Sequence, residues 1–301
     1  MNRLLKLAAA ALAAVASLAA MPPPARIEAV VLGIAQDGGV PHLGCRQKLC
    51  VEARSDPSKR RHVASLGLID GVSGKRFLID ATPDFENQVS RLGGLPDGIL
   101  LTHAHIGHYL GLAQLGREVA NTKEMPVYCT ASMAGFLREN RPWSRLVQSK
   151  NISIHEIEPD KEFALTENLR ATALKVPHRD EDSDTVAYVV AGPARKLLWL
   201  PDIDKWEKWD RRIEDVLRTV DAAFLDGTFF SAGEIPGRSI EEIPHPLVPE
   251  TVSLLSTGQR RAKIFFVHLN HTNRLLWDGK EERRLLGKGF GVATEGQRLA
   301  L

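Results

Sequence analysis

The sequence predicts a layered α/β (α+β) body in one domain. Short apolar runs of strand character recur along the chain, each followed by polar turn residues. Helical patterns fall between these runs, which is the alternation that builds strand layers covered by helices. Beyond the N-terminus there is no internal repeat, low-complexity tract or long linker.

The first element is not part of that body. Met1 to Lys6 is a short cationic start, Leu7 to Ala20 is an unbroken apolar or small run, and Ser17-Leu-Ala19 offers small residues for a signal peptidase. The pattern predicts a secretory signal peptide over residues 1–20 and a periplasmic address. A membrane span needs about 20 apolar residues, and this run is shorter and Ala-rich. Pro22-Pro-Pro24 then gives a stiff start to the mature chain.

Strands are expected at 27–34, 64–70, 76–79, 98–102, 127–129, 152–157, 169–176, 185–190, 196–200, 222–225 and 262–267. Gly71-Val-Ser-Gly74 joins the second and third as a hairpin. Helices are expected at 83–92, 111–120, 132–140, 205–220 and 249–257. The first of these has turn residues ahead of it and Gly93-Gly94 behind it.

Charge limits the partners. Without Arg3 and Lys6 the 39 basic residues fall to 37, equal to the 37 acidic ones. A neutral body lacks the basic excess of a nucleic-acid or membrane-surface binder, so a small-molecule substrate is expected, with no nucleic acid and no membrane after leader cleavage. Cys45, Cys50 and Cys129 are the cysteines. In an oxidising compartment the close pair Cys45 and Cys50 most often forms a disulfide, with metal ligation as the rival; Cys129 reads as a buried strand thiol.

The residues that carry chemistry stand at strand ends. His103, His105 and His108 follow the apolar run Ile99-Leu-Leu101, three imidazoles within six residues of a chain that has ten. At a strand end residues i and i+2 point the same way, so the first two rings converge. A catalytic metal site needs further His or carboxylate ligands and an open position for water. His178, Asp202 and His268 each follow an apolar run, with Asp204 and His271 as nearby substitutes. Taken singly, Asp202 equally fits a helix cap near Lys205, and His268 an ordinary packed histidine. Asp226, in Asp226-Gly-Thr-Phe229, and His245, between two prolines, form a second pair suited to general acid catalysis.

With these residues the chain resembles the metallo-β-lactamase superfamily, through the loop His103-Ala-His-Ile-Gly-His108 and through Phe77-Leu-Ile-Asp80-Ala. The resemblance implies a four-layer αββα fold, two mixed β-sheets sandwiched between helices, over residues 26–301 as a single domain. It also implies metal ligation by His103, His105, His108, His178, Asp202 and His268, with Asp80 supporting the His loop. Gly107 stands where the superfamily places an Asp that binds a second metal, so zinc is expected as one or two ions with the second site weakened. The segments Leu32-Gly-Ile-Ala-Gln-Asp-Gly-Gly-Val-Pro41, Ile79-Asp-Ala-Thr-Pro-Asp84, Asp226-Gly-Thr-Phe229, Pro244-His-Pro246 and Phe266-Val-His-Leu-Asn-His-Thr-Asn273 are similar to the pyrroloquinoline quinone biosynthesis B family. That family has a denser N-terminal cysteine cluster, lacks the full His loop and is not exported.

The function expected is metal-dependent hydrolysis of a phosphodiester or ester-type small molecule, with Asp202, His245 and Asp226 as the catalytic residues. Three alternatives stand beside it. They are a β-lactamase or lactonase activity, an iron-dependent oxidative enzyme, and a non-catalytic metal or ligand binder.

Overall fold

The computed structural model describes residues 26–234, 239, 243–256 and 262–301, so the expected leader over 1–20 lies outside the described residues. Among the described residues two seven-stranded sheets face each other. The first contains β1 (Ile27–Gly33), β2 (Ser65–Asp70), β3 (Lys75–Ile79), β4 (Gly98–Leu100), β5 (Met125–Cys129) and β6 (Ile152–Glu156) side by side, with β14 (Arg298–Ala300) outside β1. The second contains β7 (Glu162–Ala164), β8 (Arg170–Val176), β9 (Thr185–Ala191), β10 (Lys196–Leu200), β11 (Ala222–Asp226), β12 (Lys263–Val267) and β13 (Phe290–Val292), in that order. Both sheets are mixed. β3 through β6 run parallel, as do β10 through β13, and the remaining neighbours pair antiparallel.

The alternation of side chains along each strand builds the layers. Ala29 and Val31 of β1 face the second sheet, where they join Leu66, Leu68, Phe77, Tyr188, Trp199, Phe224 and Phe266 in one buried cluster. Val30 and Leu32 point the other way, to helices α2 (Phe85–Leu92), α4 (Ala131–Glu139) and α5 (Trp143–Gln148), through Phe85, Leu92, Met133, Leu137 and Trp143. On the far side α6 (Ile213–Leu217) and α7 (Val248–Leu255) bury Ile213, Leu217, Val252 and Leu255 against the second sheet. This is the αββα arrangement. The remaining helices are α1 (Lys48–Ser55), α3 (Ile106–Tyr109) and α8 (Gly279–Gly287).

Departures from the sequence expectation have local causes. The helix expected over 205–220 is cut into a 3-10 turn at Trp206–Lys208 and the short α6, with extended backbone at Trp209 and Arg212. Two indoles enforce the break. Trp206 Nε1 donates to Thr251 Oγ1 at 2.9 Å, and Trp209 Nε1 donates to the Lys175 carbonyl at 2.8 Å. These partners lie outside the segment, on α7 and β8, and hold the two indoles to different elements. The helix expected over 111–120 is a 3-10 turn, Leu110–Leu115, ended by extended backbone at Gly116. Cys45, Cys50 and Cys129 are all free thiols, so the disulfide expected between the first two is not formed. Instead the Cys50 sulfur accepts the His42 backbone N–H at 3.3 Å, and burial pushes the Cys129 thiol up to about 12.

Candidate metal centre

The site lies where strands of both sheets end. Past β4 come Thr102 to His108; past β8, His178; past β10, Asp202; β11 ends on Asp226, and β12 is followed at once by His268. The structure thus brings His103, His105, His108, His178, Asp202 and His268 into one cavity. Their ligand atoms fall into interlocking groups, His103 with His105 and His178, and His103 with His108 and Asp202, each within 4.8 Å. Two further groups of the same tightness are His178, Asp202 and His245, and Asp37, His108 and His268. Asp204 and His271 are elsewhere. Asp204 pairs with Lys208 at 2.7 Å, and His271 stacks on His42 with ring centroids 4.3 Å apart.

Two threonine hydroxyls set the direction of the imidazoles. Thr102 Oγ1 lies 3.0 Å from both Asp80 oxygens and 2.9 Å from His103 Nδ1. A hydroxyl has one proton, and an ionised carboxylate can only accept. Thr102 therefore donates to Asp80 and accepts from His103 Nδ1–H, which leaves the His103 Nε2 lone pair facing the cavity. His108 Nδ1 meets Asp80 Oδ2 directly at 2.8 Å, with the same outcome for its Nε2. The second sheet repeats the device. Thr228 Oγ1 donates to Asp226 Oδ1 at 2.7 Å and accepts from His268 Nδ1 at 2.9 Å. Partners that hold the far nitrogen in this way fix the tautomer of a metal-ligating imidazole. His105 differs: its Nε2 meets Glu181 Oε2 at 3.0 Å, leaving Nδ1 for the cavity.

Asp80 and His268 hold left-handed backbone, with φ of 69° and 62°. That conformation is costly for residues with a Cβ and is found where surrounding structure enforces it. The two strained residues sit at matching places, each at the mouth end of its own sheet.

The donor atoms lack partners of their own. The Nε2 atoms of His103, His108 and His268, both ring nitrogens of His178, Oδ2 of Asp202 and Oδ1 of Asp37 are buried without a hydrogen bond. Yet His108 Nε2 is 3.0 Å and His268 Nε2 3.2 Å from Asp202 Oδ2. That convergence needs a positive charge among the donor atoms, supplied by a metal ion or by a proton on His108. Buried unpaired polar atoms cost about 1–3 kcal/mol each, so a cluster of this size fits a metal and fits little else. The protonation states agree. Burial and the neighbouring His108 hold His103 well below the ordinary histidine value, and burial pushes His178 down to about 4. Both rings are therefore neutral and able to ligate. Burial opposes charge on Asp202, but His268 and His108 outweigh it and keep the carboxylate ionised. On His108 burial works against charge, while Asp80, Asp202 and Asp37 outweigh it and push the pKa well up. A positive charge belongs at that point of the cavity.

His245 stands beside this cluster, its ring centroid 5.2 Å from that of His178. Its Nδ1 is 2.8 Å from Asp226 Oδ2, so the ring is oriented by that carboxylate and keeps Nε2 for a ligand. Burial lowers its pKa, but Asp226 outweighs burial and the net shift is upward. Asp226 is itself held by the backbone N–H groups of Ile203 and Thr228, at 3.1 and 2.9 Å. The sequence reading missed Asp37. Its signal was present as the turn Asp37-Gly-Gly39, which reads as a loop and carries no ligand spacing.

Comparison with known proteins agrees with this architecture. Residues 75–269 match the family model of the β-lactamase superfamily domain. Coenzyme PQQ synthesis protein B of Rhizobium meliloti (strain 1021) is 26% identical over 303 residues, covering 90% of this chain and 97% of that protein. The same-named protein of Methylobacterium radiotolerans is 26% identical over 309 residues, covering 90% and 99%. Among solved structures, Zn(2+)-bound PqqB from Methylobacterium extorquens superposes with a TM-score of 0.78 at 21% identity, covering 91% of this chain and 100% of that one. A diphosphatase from the PhnP family gives 0.68 at 24% identity, covering 92% and 97%. The match to more than half of the chain, on two sheets that carry a metal-ready cavity between their strand ends, makes this protein a member of the β-lactamase superfamily, built on the metallo-β-lactamase fold and similar to coenzyme PQQ synthesis protein B.

Proposed function

We propose that the protein is an exported zinc-dependent hydrolase whose substrate is a small phosphodiester. The observation that carries this reading is the His245–Asp226 pair, oriented at 2.8 Å beside the cluster of unpartnered donor atoms. His103, His105, His178 and Asp202 would hold one zinc ion. When bound, zinc acidifies a coordinated water into the neutral range and polarises the scissile group. The protein supplies the rest. Asp80, Thr102 and Thr228 keep the ligand rings in the right tautomer, and Asp226 turns His245 so that it can give a proton to the departing oxygen.

A basic cleft favours an anionic substrate. Arg54, Arg60 and Arg61 line a cleft of about 630 Å³ that also contains Asp37. Their guanidinium groups donate to backbone carbonyls, and among the described residues none pairs with a carboxylate. Their charge is therefore available to a phosphate. The similarity to coenzyme PQQ synthesis protein B favours a second reading, an oxidative step on a small cofactor precursor with iron in the same ligand set. Residues 1–20 support export, and the neutral charge supports a small molecule over nucleic acid.

Elemental analysis of protein expressed to the periplasm, with an activity panel, tests the reading. At least one equivalent of zinc and turnover of bis(p-nitrophenyl) phosphate are expected. His103→Ala should lose most of both. Turnover of a lactone or cephalosporin alone would replace the substrate class, and iron with oxygen uptake would replace the reaction. Bound metal with no turnover across the panel would make the protein a binder.

A further inference from the structure

The cavity contains a carboxylate that the His loop does not supply. Asp37 sits on the turn after β1, and its Oδ1 lies 3.6 Å from His108 Nε2 and 3.9 Å from His268 Nε2. That oxygen is buried and has no hydrogen-bond partner, and the three residues form a metal-ready group. Asp202 Oδ2 completes the same pocket at 3.0 and 3.2 Å from the two imidazoles.

Gly107 faces Asp37 across this pocket. A Cβ at position 107 would overlap the Asp37 carboxylate and lie 2.7 Å from its Cα and 2.9 Å from its Cγ. The glycine thus vacates the volume that Asp37 enters. The approach is not a loose excursion of a surface turn. Gln36 N–H donates to the Leu269 carbonyl at 3.0 Å, and Leu269 N–H donates to the Ile34 carbonyl at 2.8 Å. Asn270 Nδ2 also donates to Gln36 Oε1. The turn carrying Asp37 is therefore tied to the segment carrying His268.

We infer that Asp37 is the carboxylate ligand of a second metal site, formed with His108, His268 and the shared Asp202, and that Gly107 is required to admit it. On this inference the carboxylate that Gly107 does not supply arrives from another part of the chain. By the same geometry Gly107→Asp introduces a second carboxylate into occupied space instead of filling a gap. The inference rests on the reading of the cavity as a metal centre, and the test separates the two.

The experiment is zinc and cobalt titration of the full chain, read by elemental analysis after dialysis and by the visible absorption of bound cobalt(II), with circular dichroism to check folding. Wild type should bind two equivalents. Asp37→Asn should keep the first and bind the second at least tenfold more weakly. Gly107→Asp alone should also lose the second ion. The double variant Asp37→Ala, Gly107→Asp, with a carboxylate returned from the loop side into vacated space, should recover it, and it keeps the inference testable if a single variant misfolds. Two tightly held equivalents in Asp37→Asn, or one in wild type, would overturn the Asp37 assignment and leave the first site standing. No metal in wild type would overturn the metal centre and this inference together.

Discussion

At the scale of single residues, the cavity is an exercise in placing lone pairs. On His103, His108 and His268 the inward-facing imidazole nitrogen is free because the opposite nitrogen is engaged, by Thr102, Asp80 and Thr228 in turn. His245 is oriented in the same way, its Nδ1 held at 2.8 Å by Asp226, which raises its pKa against burial. In the proposed hydrolysis this ring is the proton donor. His245→Gln should lower kcat about 100-fold for an alkyl-leaving phosphodiester and less than tenfold for a p-nitrophenyl one, because a good leaving group needs little protonation. Equal losses on both substrates would remove the general-acid role. The imidazoles and Asp202 were legible in the sequence because each follows an apolar run. Asp37 was not, because a turn residue acquires meaning only when a distant chain segment closes over it.

At the scale of elements, the site depends on close backbone approach. The segment after β3 runs against the turn after α3, where Gly111 N–H donates to the Ala81 carbonyl at 2.8 Å and Ala81 N–H donates to the His108 carbonyl at 2.9 Å. A Cβ on Gly111 would run into the Thr82 carbonyl and lie 2.7 Å from Phe85 Cβ. Gly111→Ala should therefore cost about 1–3 kcal/mol in urea denaturation and also reduce zinc affinity, because the strain falls on the loop that aims His108. Unchanged stability would show that this loop yields freely. Most long strands were legible from alternation, whereas Glu162–Ala164, Phe290–Val292 and Arg298–Ala300 are too short to show a period. The 205–220 segment was misread for the opposite reason: its pattern is helical, and the bonds of Trp206 and Trp209 to other elements override it.

At the scale of the whole molecule, two sheets must stay in register for ligands from both to meet. One tie between them is Asp70, at the end of β2, which accepts from Thr166 Oγ1 at 2.6 Å and Asn168 Nδ2 at 3.2 Å beside the β7–β8 turn. Burial opposes its charge, but the hydrogen bonds from Thr166, Ser73 and Asn168 outweigh it and lower the pKa to about 2. A carboxylate with a depressed pKa stabilises the fold above its unfolded value and loses that contribution as pH falls through the folded one. Here the window runs from about pH 4 down toward 2, and the contribution is about 2 kcal/mol. Asp70→Asn should be less stable than wild type by that order at pH 6, and the gap should close toward pH 2. A gap independent of pH would assign the effect to packing alone. The layered fold class was legible from the mixture of strands and helices, but the pairing of the sheets was not, since it rests on contacts remote in sequence.

Ala35, just past β1, makes isolated bridges to Val63, ahead of β2, and to Leu269, just past β12. Its N–H donates to the His62 carbonyl, and its own carbonyl accepts from Ala64 N–H, both at 2.8 Å. On the other side Gln36 N–H donates to the Leu269 carbonyl and Leu269 N–H to the Ile34 carbonyl, so the stretch Ile34 to Gln36 ties the two segments together. Separating them means breaking backbone bonds, each worth about 1 kcal/mol net and more when left unpaired. The turn that carries Asp37 and the segment that carries His268 are accordingly coupled through shared backbone bonds, so a shift of one is felt by the other.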